Sequence, residues 1–220
     1  MFRTRYDKIL TSATIAATVI AVAVVAQTIS TKTPQRRPGS PTRVDAWKEF
    51  STRGHREGPI GASVVIVVFS DFQCPFCERA SRYFDTVRER WGTEVAVVYR
   101  HFPSHEHSRE AAVASSCADE AGHFRSFRQV AFRRLDSLGI FPWSQIAAEA
   151  GIVDTSTFVS CMASQRAHQV VTDDSLAGAR LGVTGTPTML LNDLRVRGFV
   201  GDSVLDSYVR DEMRRASSPP

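Results

Sequence analysis

An apolar, β-branched run leads directly into two cysteines, and this junction constrains the fold more than any other feature of the sequence. The run from Val64 to Phe69 (VVIVVF) lacks polar alternation, which is typical of a strand buried on both faces of a sheet. After the Cys-Pro-Phe-Cys motif at residues 74–77, apolar side chains recur every three or four residues. That period predicts a helix from Pro75 to about Arg90, and Glu94–Tyr99 has the composition of a second strand. The sequence therefore predicts a strand-helix-strand unit with a parallel sheet.

Cys74 lies where the predicted strand gives way to the predicted helix, and this position favours its ionised form. Pro75 suits the first helical position, where a backbone N–H has no partner within the helix. The remaining free N–H groups, with about half a positive charge from the helix dipole, lower the pKa of a nearby thiol. We interpret Cys74 as the exposed nucleophile and Cys77, one turn further along an apolar stripe, as the buried resolving thiol. Asp71 suits a turn or cap role at least as well as one in proton transfer.

A Cys-x-x-Cys pair also occurs as half of a zinc site or as a structural crosslink. A zinc site would need a second close pair of ligands. The other two cysteines, Cys117 and Cys161, are far apart in the sequence and have no such partner nearby. Redox chemistry is therefore favoured, and neither a metal nor an organic cofactor is expected.

The rest of the chain continues with helices and then with a hairpin. Helical periodicity extends from about Ser108 to Leu181, and glycine and proline divide it into four or five helices. Thr188–Leu191 and Arg195–Phe199 have the composition of two strands joined by a short turn. A last helix is expected from about Ser203 to Arg215. The order β-α-β, helices, β-β-α predicts an α/β fold with an all-helical insertion.

The N-terminal segment from Ile9 to Ile29 contains no charged residue and follows three basic ones. Its length matches a hydrocarbon core of about 30 Å at about 1.5 Å per residue, so residues 1–29 are predicted to form a transmembrane signal-anchor. Small residues at Ala23 and Ala26 leave a cleaved signal peptide, and hence a secreted form, as the alternative. Basic residues flank the segment on both sides and therefore do not fix its orientation.

The distribution of proline and of large apolar residues indicates the expected domain boundaries. Residues 30–43 contain three prolines and no large apolar side chain, which predicts a flexible linker. The folded domain is expected at residues 44–215, with the helical insertion at about 104–181 and a disordered tail at 216–220.

The formal net charge is +4, but charged residues are interspersed, and no basic block is interleaved with aromatic residues. This pattern argues against a nucleic-acid partner.

Three stretches of the sequence resemble the DsbA-like branch of the thioredoxin superfamily: VVFSDFQCPFC at residues 67–77, YRHFP at 99–103 and GVTGTPT at 182–188. The resemblance covers about residues 60–213, and the first and third stretches together are specific. It implies a thioredoxin-like fold with an inserted helical subdomain, as the order of elements also predicts. It further implies a protein thiol-disulfide oxidoreductase.

By this resemblance, Pro187 is expected to be a cis-proline that faces the redox pair, with an ordinary turn as the alternative. A cis bond there would expose the backbone of Thr186 to an extended client segment, beside Cys74. Pro75 and Phe76 are included in the expected client-binding surface. The best-studied oxidase of the family has histidine where this chain has Phe76. A phenyl ring cannot stabilise the thiolate as a cationic imidazole does, so a less oxidising disulfide is expected.

The sequence does not decide the direction of electron flow. The favoured function is a disulfide donor for exported client proteins, with its catalytic domain outside the cytoplasm. A membrane thiol oxidase, of the DsbB type or the vitamin-K-epoxide-reductase type, would recharge it. One alternative on the same fold is a reductase or isomerase supplied by a membrane electron transporter. An alternative of another class is a non-enzymatic chaperone that binds extended peptides.

Cys117 and Cys161 both fall in predicted helices of the insertion. Two further thiols are seldom left free in an oxidising compartment, so we expect a structural disulfide between them. Two independently buried thiols are the alternative. His101, His105 and His107 are close in sequence, but their neighbours favour structural or capping roles over metal binding or acid-base chemistry.

Overall fold

A six-stranded mixed sheet forms the framework of residues 40–217, the part of the chain that the computed structural model describes. The strands are β1 (Thr42–Arg43), β2 (His55–Glu57), β3 (Val64–Ser70), β4 (Val95–His101), β5 (Thr188–Leu191) and β6 (Leu194–Arg197). Their order across the sheet is β1-β6-β5-β3-β4-β2. β3 and β4 are parallel, whereas the other neighbouring strands are antiparallel. The parallel pair is the strand-helix-strand unit predicted above.

Helices cover the sheet and form the insertion. Those of residues 40–217 are α1 (Lys48–Ser51), α2 (Pro75–Arg90), α3 (Ser108–Glu120), α4 (Phe124–Arg133), α5 (Trp143–Glu149), α6 (Thr155–Met162), α7 (Gln165–Leu181) and α8 (Asp202–Ser217). A short 3-10 helix, Leu135–Ser137, follows α4. Helices α3 to α7 lie between β4 and β5 in the chain. The predicted α/β order with a helical insertion is therefore confirmed.

Successive residues of β3 face opposite sides of the sheet, which explains why its sequence is apolar throughout. The even-numbered residues from Val64 to Val68 share an apolar cluster with α2 and α8. The odd-numbered residues from Val65 to Phe69 pack instead with α1 and α7. Nearly all of these side chains are fully buried. Because each such burial stabilises the fold by about 1.5–3 kcal/mol, β3 contributes strongly to the stability of the core on both faces of the sheet.

A third apolar cluster fills the insertion and includes both cysteines of the Cys-Pro-Phe-Cys motif. Its other buried side chains come mainly from α3 to α7. Phe72, Cys74 and Cys77 belong to this cluster and not to either cluster on the sheet. The insertion therefore forms one wall around the two cysteines.

The structure differs from the sequence-based boundaries at both ends of the domain. β1 lies within the predicted linker 30–43, where it pairs with β6, and α8 includes two residues of the predicted tail. The sequence did not reveal β1, β2 or α1 because elements of four residues or fewer are too short to show a period. The predicted signal-anchor at 1–29 lies outside the described residues. Within residues 40–217, no helix has both the length and the hydropathy required to cross a membrane.

Candidate active site

Cys74 forms the N-terminal cap of α2. Its backbone is extended, with φ −93° and ψ 117°, and Pro75 follows at the start of the helix. The Cys74 carbonyl accepts hydrogen bonds from the backbone N–H groups of Cys77 and Glu78, at 3.0 and 3.2 Å. The Cys74 N–H donates to the Asp71 carbonyl at 3.2 Å and closes the turn after β3. These bonds hold the Cys74 side chain beside the first turn of α2.

The two thiols of the motif are free and differ strongly in acidity. A hydrogen bond from Cys77 is the largest influence on Cys74. Burial opposes ionisation, but further hydrogen bonds from the Thr186 side chain and from backbone N–H groups bring the pKa of Cys74 down to about 5. Burial raises the pKa of Cys77 far above its ordinary value, and the adjacent Cys74 raises it further. At neutral pH, Cys74 is therefore a thiolate and Cys77 a thiol.

Cys74 is less exposed than the sequence suggested. Only 6% of Cys74 and 1% of Cys77 is accessible to solvent. The apolar cluster of the insertion packs against both residues, and the loop at Thr186 lies against the Cys74 sulfur. A cap position is open in an isolated helix, but here the neighbouring elements cover it. Only a small part of Cys74 is therefore accessible from outside the protein.

The Thr186–Pro187 peptide bond is cis and lies beside the redox pair. The Cys74 sulfur is 3.3 Å from the main-chain carbonyl oxygen of Thr186, to which the thiol form donates a hydrogen bond. Pro187 leads into β5, whose first residue, Thr188, is in register with Phe69 of β3. The pairing of β5 with β3 thus brings this loop to the end of β3 from which Cys74 follows. The pairing of these strands therefore places Thr186 beside Cys74, although the two residues are far apart in the sequence.

Phe76 projects from the first turn of α2. Its side chain is 51% exposed, and the Arg79 guanidinium lies over the ring, 5.3 Å from the ring centroid. An aromatic ring in this position offers an apolar contact surface next to Cys74. Arg79 is not among the predicted site residues, although its spacing of three residues from Phe76 on a predicted helix indicates that the two side chains can meet.

Asp71, for which the sequence indicates a turn or cap role at least as well as one in proton transfer, makes extensive contacts beside the two cysteines. Its carboxylate is fully buried, with a side-chain exposure of 0%, and it lies in the turn between β3 and Cys74. The groups that donate hydrogen bonds to it belong to Gln73, Ser104, His105 and Ser108. Burial favours the neutral acid, but these bonds, led by those from Ser108 and His105, hold the pKa of Asp71 below its ordinary value. The backbone N–H of Asp71 lies 3.5 Å from the sulfur of Cys77.

Cys117 and Cys161 are joined by a disulfide that links α3 to α6. The S–S distance is 2.04 Å, the Cα–Cα distance is 5.8 Å, and the two residues are 44 apart in sequence. Cys117 is buried in the same apolar cluster as Cys77, and Cys161 packs against that cluster. The disulfide therefore lies within the wall that the insertion forms around the redox pair.

His101, His105 and His107, which are close together in the sequence, do not form a cluster in the structure. β4 extends to His101, beyond its predicted end, and His101 Nε2 is buried 2.9 Å from Nε2 of His55 on β2. His105 contacts Asp71, whereas His107 precedes α3 without a side-chain capping bond. Across residues 40–217, no group of three or more His, Cys, Asp or Glu side chains is arranged to hold a metal ion.

Comparison with known proteins places this geometry in a family. A family model described as thioredoxin matches residues 51–211. The Na(+)/H(+) antiporter NhaA 1 of Mycolicibacterium vanbaalenii is 34% identical over an alignment of 154 residues, which covers 66% of this chain and 24% of the antiporter. The antiporter NhaA of Herminiimonas arsenicoxydans is 31% identical over 144 residues, 23% of its length. The chain thus spans about a quarter of the length of the curated relatives it matches.

Solved structures share the same fold. The thiol-disulfide exchange protein alpha-DsbA2 from Wolbachia pipientis is 21% identical with a TM-score of 0.64, over 74% of this chain and 88% of that one. A thioredoxin-like oxidoreductase from Silicibacter pomeroyi DSS-3 is 26% identical with a TM-score of 0.66, over 79% and 100%. Oxidised BdbD from Bacillus subtilis is 20% identical with a TM-score of 0.66, over 73% and 93%. The chain therefore belongs to the thioredoxin family and has the fold of its DsbA-like thiol-disulfide oxidoreductases.

Proposed function

We propose that this protein uses Cys74 and Cys77 to donate disulfides to exported client proteins. The observation that carries the proposal is the unequal pair at the start of α2, where the pKa of Cys74 is about 5 and the pKa of Cys77 is raised. A stabilised thiolate at Cys74 favours the reduced protein over its disulfide. A favoured reduced form makes the disulfide a stronger oxidant. Transfer of the disulfide to a client is therefore the favoured direction.

The transfer takes two exchange steps. First, a client thiolate attacks the Cys74 sulfur of the Cys74–Cys77 disulfide and forms a mixed disulfide. The bond between the two cysteines breaks, and its electron pair leaves with Cys77, which then takes up a proton because its pKa is high. Second, another client thiolate attacks the client sulfur of the mixed disulfide, and Cys74 leaves as a thiolate. The client now has a disulfide, and the protein holds the two electrons as its dithiol form.

The client-binding surface is proposed to comprise Thr186, Pro187, Pro75 and Phe76. The carbonyl of Thr186 lies beside Cys74 and would accept a hydrogen bond from the backbone of an extended client segment. The exposed ring of Phe76 would contact an apolar client side chain on the other side of the sulfur. This arrangement would hold a client cysteine next to Cys74 with little requirement for a particular client sequence.

We place the domain outside the cytoplasm, with residues 1–29 as its membrane anchor. The Cys117–Cys161 disulfide supports this location, because structural disulfides persist in oxidising compartments and are rare in the cytosol. A membrane thiol oxidase, of the DsbB type or the vitamin-K-epoxide-reductase type, would then remove the electrons that the protein takes from its clients.

Exchange measured in both directions tests the proposal. Oxidised protein is mixed with a reduced dithiol peptide, and in parallel the reduced protein is mixed with insulin. We expect wild type to oxidise the peptide faster than it reduces insulin, Cys74→Ser to lose both activities, and Cys77→Ser to accumulate a mixed disulfide. Insulin reduction without peptide oxidation would indicate a reductase instead. Peptide binding that survives Cys74→Ser, with no exchange by the wild type, would indicate a chaperone.

A further inference from the structure

The Asp71 carboxylate joins the turn before Cys74 to the segment that leads into α3. One oxygen, Oδ1, accepts from the backbone N–H of Gln73 at 2.8 Å and from the hydroxyl of Ser108. The other, Oδ2, accepts from the backbone N–H of Ser104 at 2.7 Å, from its hydroxyl at 2.8 Å and from His105 Nδ1 at 2.8 Å. Each oxygen therefore contacts one main-chain N–H and at least one side-chain donor.

This carboxylate has little capacity left to accept a proton. A carboxylate offers about four acceptor positions, and five donors already occupy them. The hydrogen bonds also hold the pKa of Asp71 below its ordinary value, despite burial. A group that is ionised and saturated with donors is a poor proton carrier. The side chain of Asp71 instead fixes the position of its own backbone.

The backbone N–H of Asp71 is aimed at the sulfur that must leave during disulfide transfer. It lies 3.5 Å from Cys77 Sγ. The side chains of Cys74 and Thr186 also hydrogen-bond to this sulfur, and the apolar cluster of the insertion surrounds the rest of Cys77. When the Cys74–Cys77 bond opens, negative charge develops on this sulfur. An N–H donor placed in advance stabilises developing charge in a buried site, because no reorganisation is needed at that moment.

We propose that Asp71 is a positioning residue, whose carboxylate holds its own backbone N–H against Cys77 to stabilise that sulfur as the leaving group. The inference rests on the proposed function. It assigns to Asp71 a role in the rate of disulfide opening and none in carrying the proton that Cys77 takes up.

Asparagine at position 71 separates these two roles without a large change in volume. Because each carboxylate oxygen faces a fixed main-chain N–H, an asparagine amide would place its NH₂ group against one of them in either orientation. The variant Asp71→Asn should therefore displace the turn. A matched control is Asp154→Asn at the N-cap of α6, an exposed position where asparagine caps equally well.

The experiment measures how fast dithiothreitol opens the enzyme disulfide, together with its equilibrium with glutathione, from acid to neutral pH. For Asp71→Asn we expect opening to slow by about tenfold, which corresponds to the loss of one hydrogen bond to a charged group. The glutathione equilibrium should change less than about twofold, because Cys77 is a neutral thiol in the reduced protein and loses little there. The inflections of the pH-rate profile should stay in place, and Asp154→Asn should match the wild type.

Ser108→Ala provides a second variant in case Asp71→Asn fails to fold. It removes one donor from Oδ1, so the positioning role predicts opening that is slower by roughly twofold to fourfold with unchanged inflections. A proton-carrying role predicts that the less saturated carboxylate becomes more basic and that an inflection moves to higher pH. A moved inflection, or wild-type opening rates in both variants, would overturn the inference. A wild type that exchanges no disulfides would instead refute the proposed function.

Discussion

The sulfur of Cys74 lies 3.3 Å from the carbonyl oxygen of Thr186, across the turn that contains the cis bond to Pro187. The Thr186 side chain also lowers the pKa of Cys74 by hydrogen bonding to its sulfur. Thr186→Val removes this hydroxyl while nearly preserving the volume. We expect the pKa of Cys74 to rise and its alkylation near pH 6 to slow by several-fold. Thr184→Val is the control, because Thr184 is an exposed residue of the same loop, and it should leave the alkylation rate of Cys74 unchanged.

The largest single influence on the acidity of Cys74 is the hydrogen bond from Cys77. Cys77→Ala removes that donor, whereas Cys77→Ser retains a hydroxyl in its place. The absorbance of the thiolate at about 240 nm should therefore titrate at higher pH in Cys77→Ala than in Cys77→Ser, because a stabilised thiolate needs a donor. Identical titrations in the two variants would show that the donor at position 77 does not set the pKa of Cys74.

Replacement of Phe76 by histidine should make the protein more oxidising. A cationic imidazole beside Cys74 would stabilise the thiolate and hence the reduced form, which the neutral ring of Phe76 cannot do. Equilibration of Phe76→His in a glutathione buffer series should shift the balance toward the reduced protein relative to wild type. Phe76→Leu is the neutral control. A shift of equal size in Phe76→Leu would attribute the change to loss of the ring and not to charge.

The stability of the reduced protein should depend on the ionisation of Cys74 between about pH 5 and pH 9. Folding lowers the pKa of Cys74 from 9.0 to about 5. The thiolate therefore stabilises the folded state fully above the unfolded pKa, and this contribution is lost as pH falls through the folded pKa. Urea unfolding of the reduced protein should show this decline, whereas Cys74→Ser should lack it.

The Cys117–Cys161 bridge should contribute strongly to stability. It closes a loop between residues 44 apart in sequence, and restriction of the unfolded chain by such a loop stabilises the fold by about 4 kcal/mol. The double variant C117A/C161A should therefore unfold at a lower urea concentration. Peptide mapping of the wild type without reductant should recover the two cysteines in one linked pair. If alkylation labels both cysteines in the native protein, the bridge is absent in solution.

The main features of the fold and of the Cys-Pro-Phe-Cys motif were predictable because they depend on local sequence. The apolar run of β3 has no polar position, and Pro75 marks the start of α2. The period of the following helix is also visible in the sequence, with buried residues at steps of three and four from Cys77 to Val87. The cis bond before Pro187 was expected from family resemblance alone, since no local pattern indicates it.

The surroundings of the site were not predictable, because they depend on contacts between distant segments. The donors to Asp71 at positions 104, 105 and 108 are 33 to 37 residues away and follow a different strand. His55 and His101 are 46 residues apart and meet only because β2 pairs with β4. The low exposure of Cys74 likewise results from packing of the insertion, which no spacing in the motif reveals.

The division of the interior into three apolar clusters has a practical consequence for engineering. Both clusters on the sheet are free of cysteine, whereas the cluster of the insertion contains Cys74, Cys77 and Cys117. Repacking of the residues around Ile66 or Val67 would mainly change thermal tolerance, because Cys74 and Cys77 do not belong to their clusters. Repacking around Phe127, in the cluster of the insertion, would change thermal tolerance and the electron-transfer chemistry together.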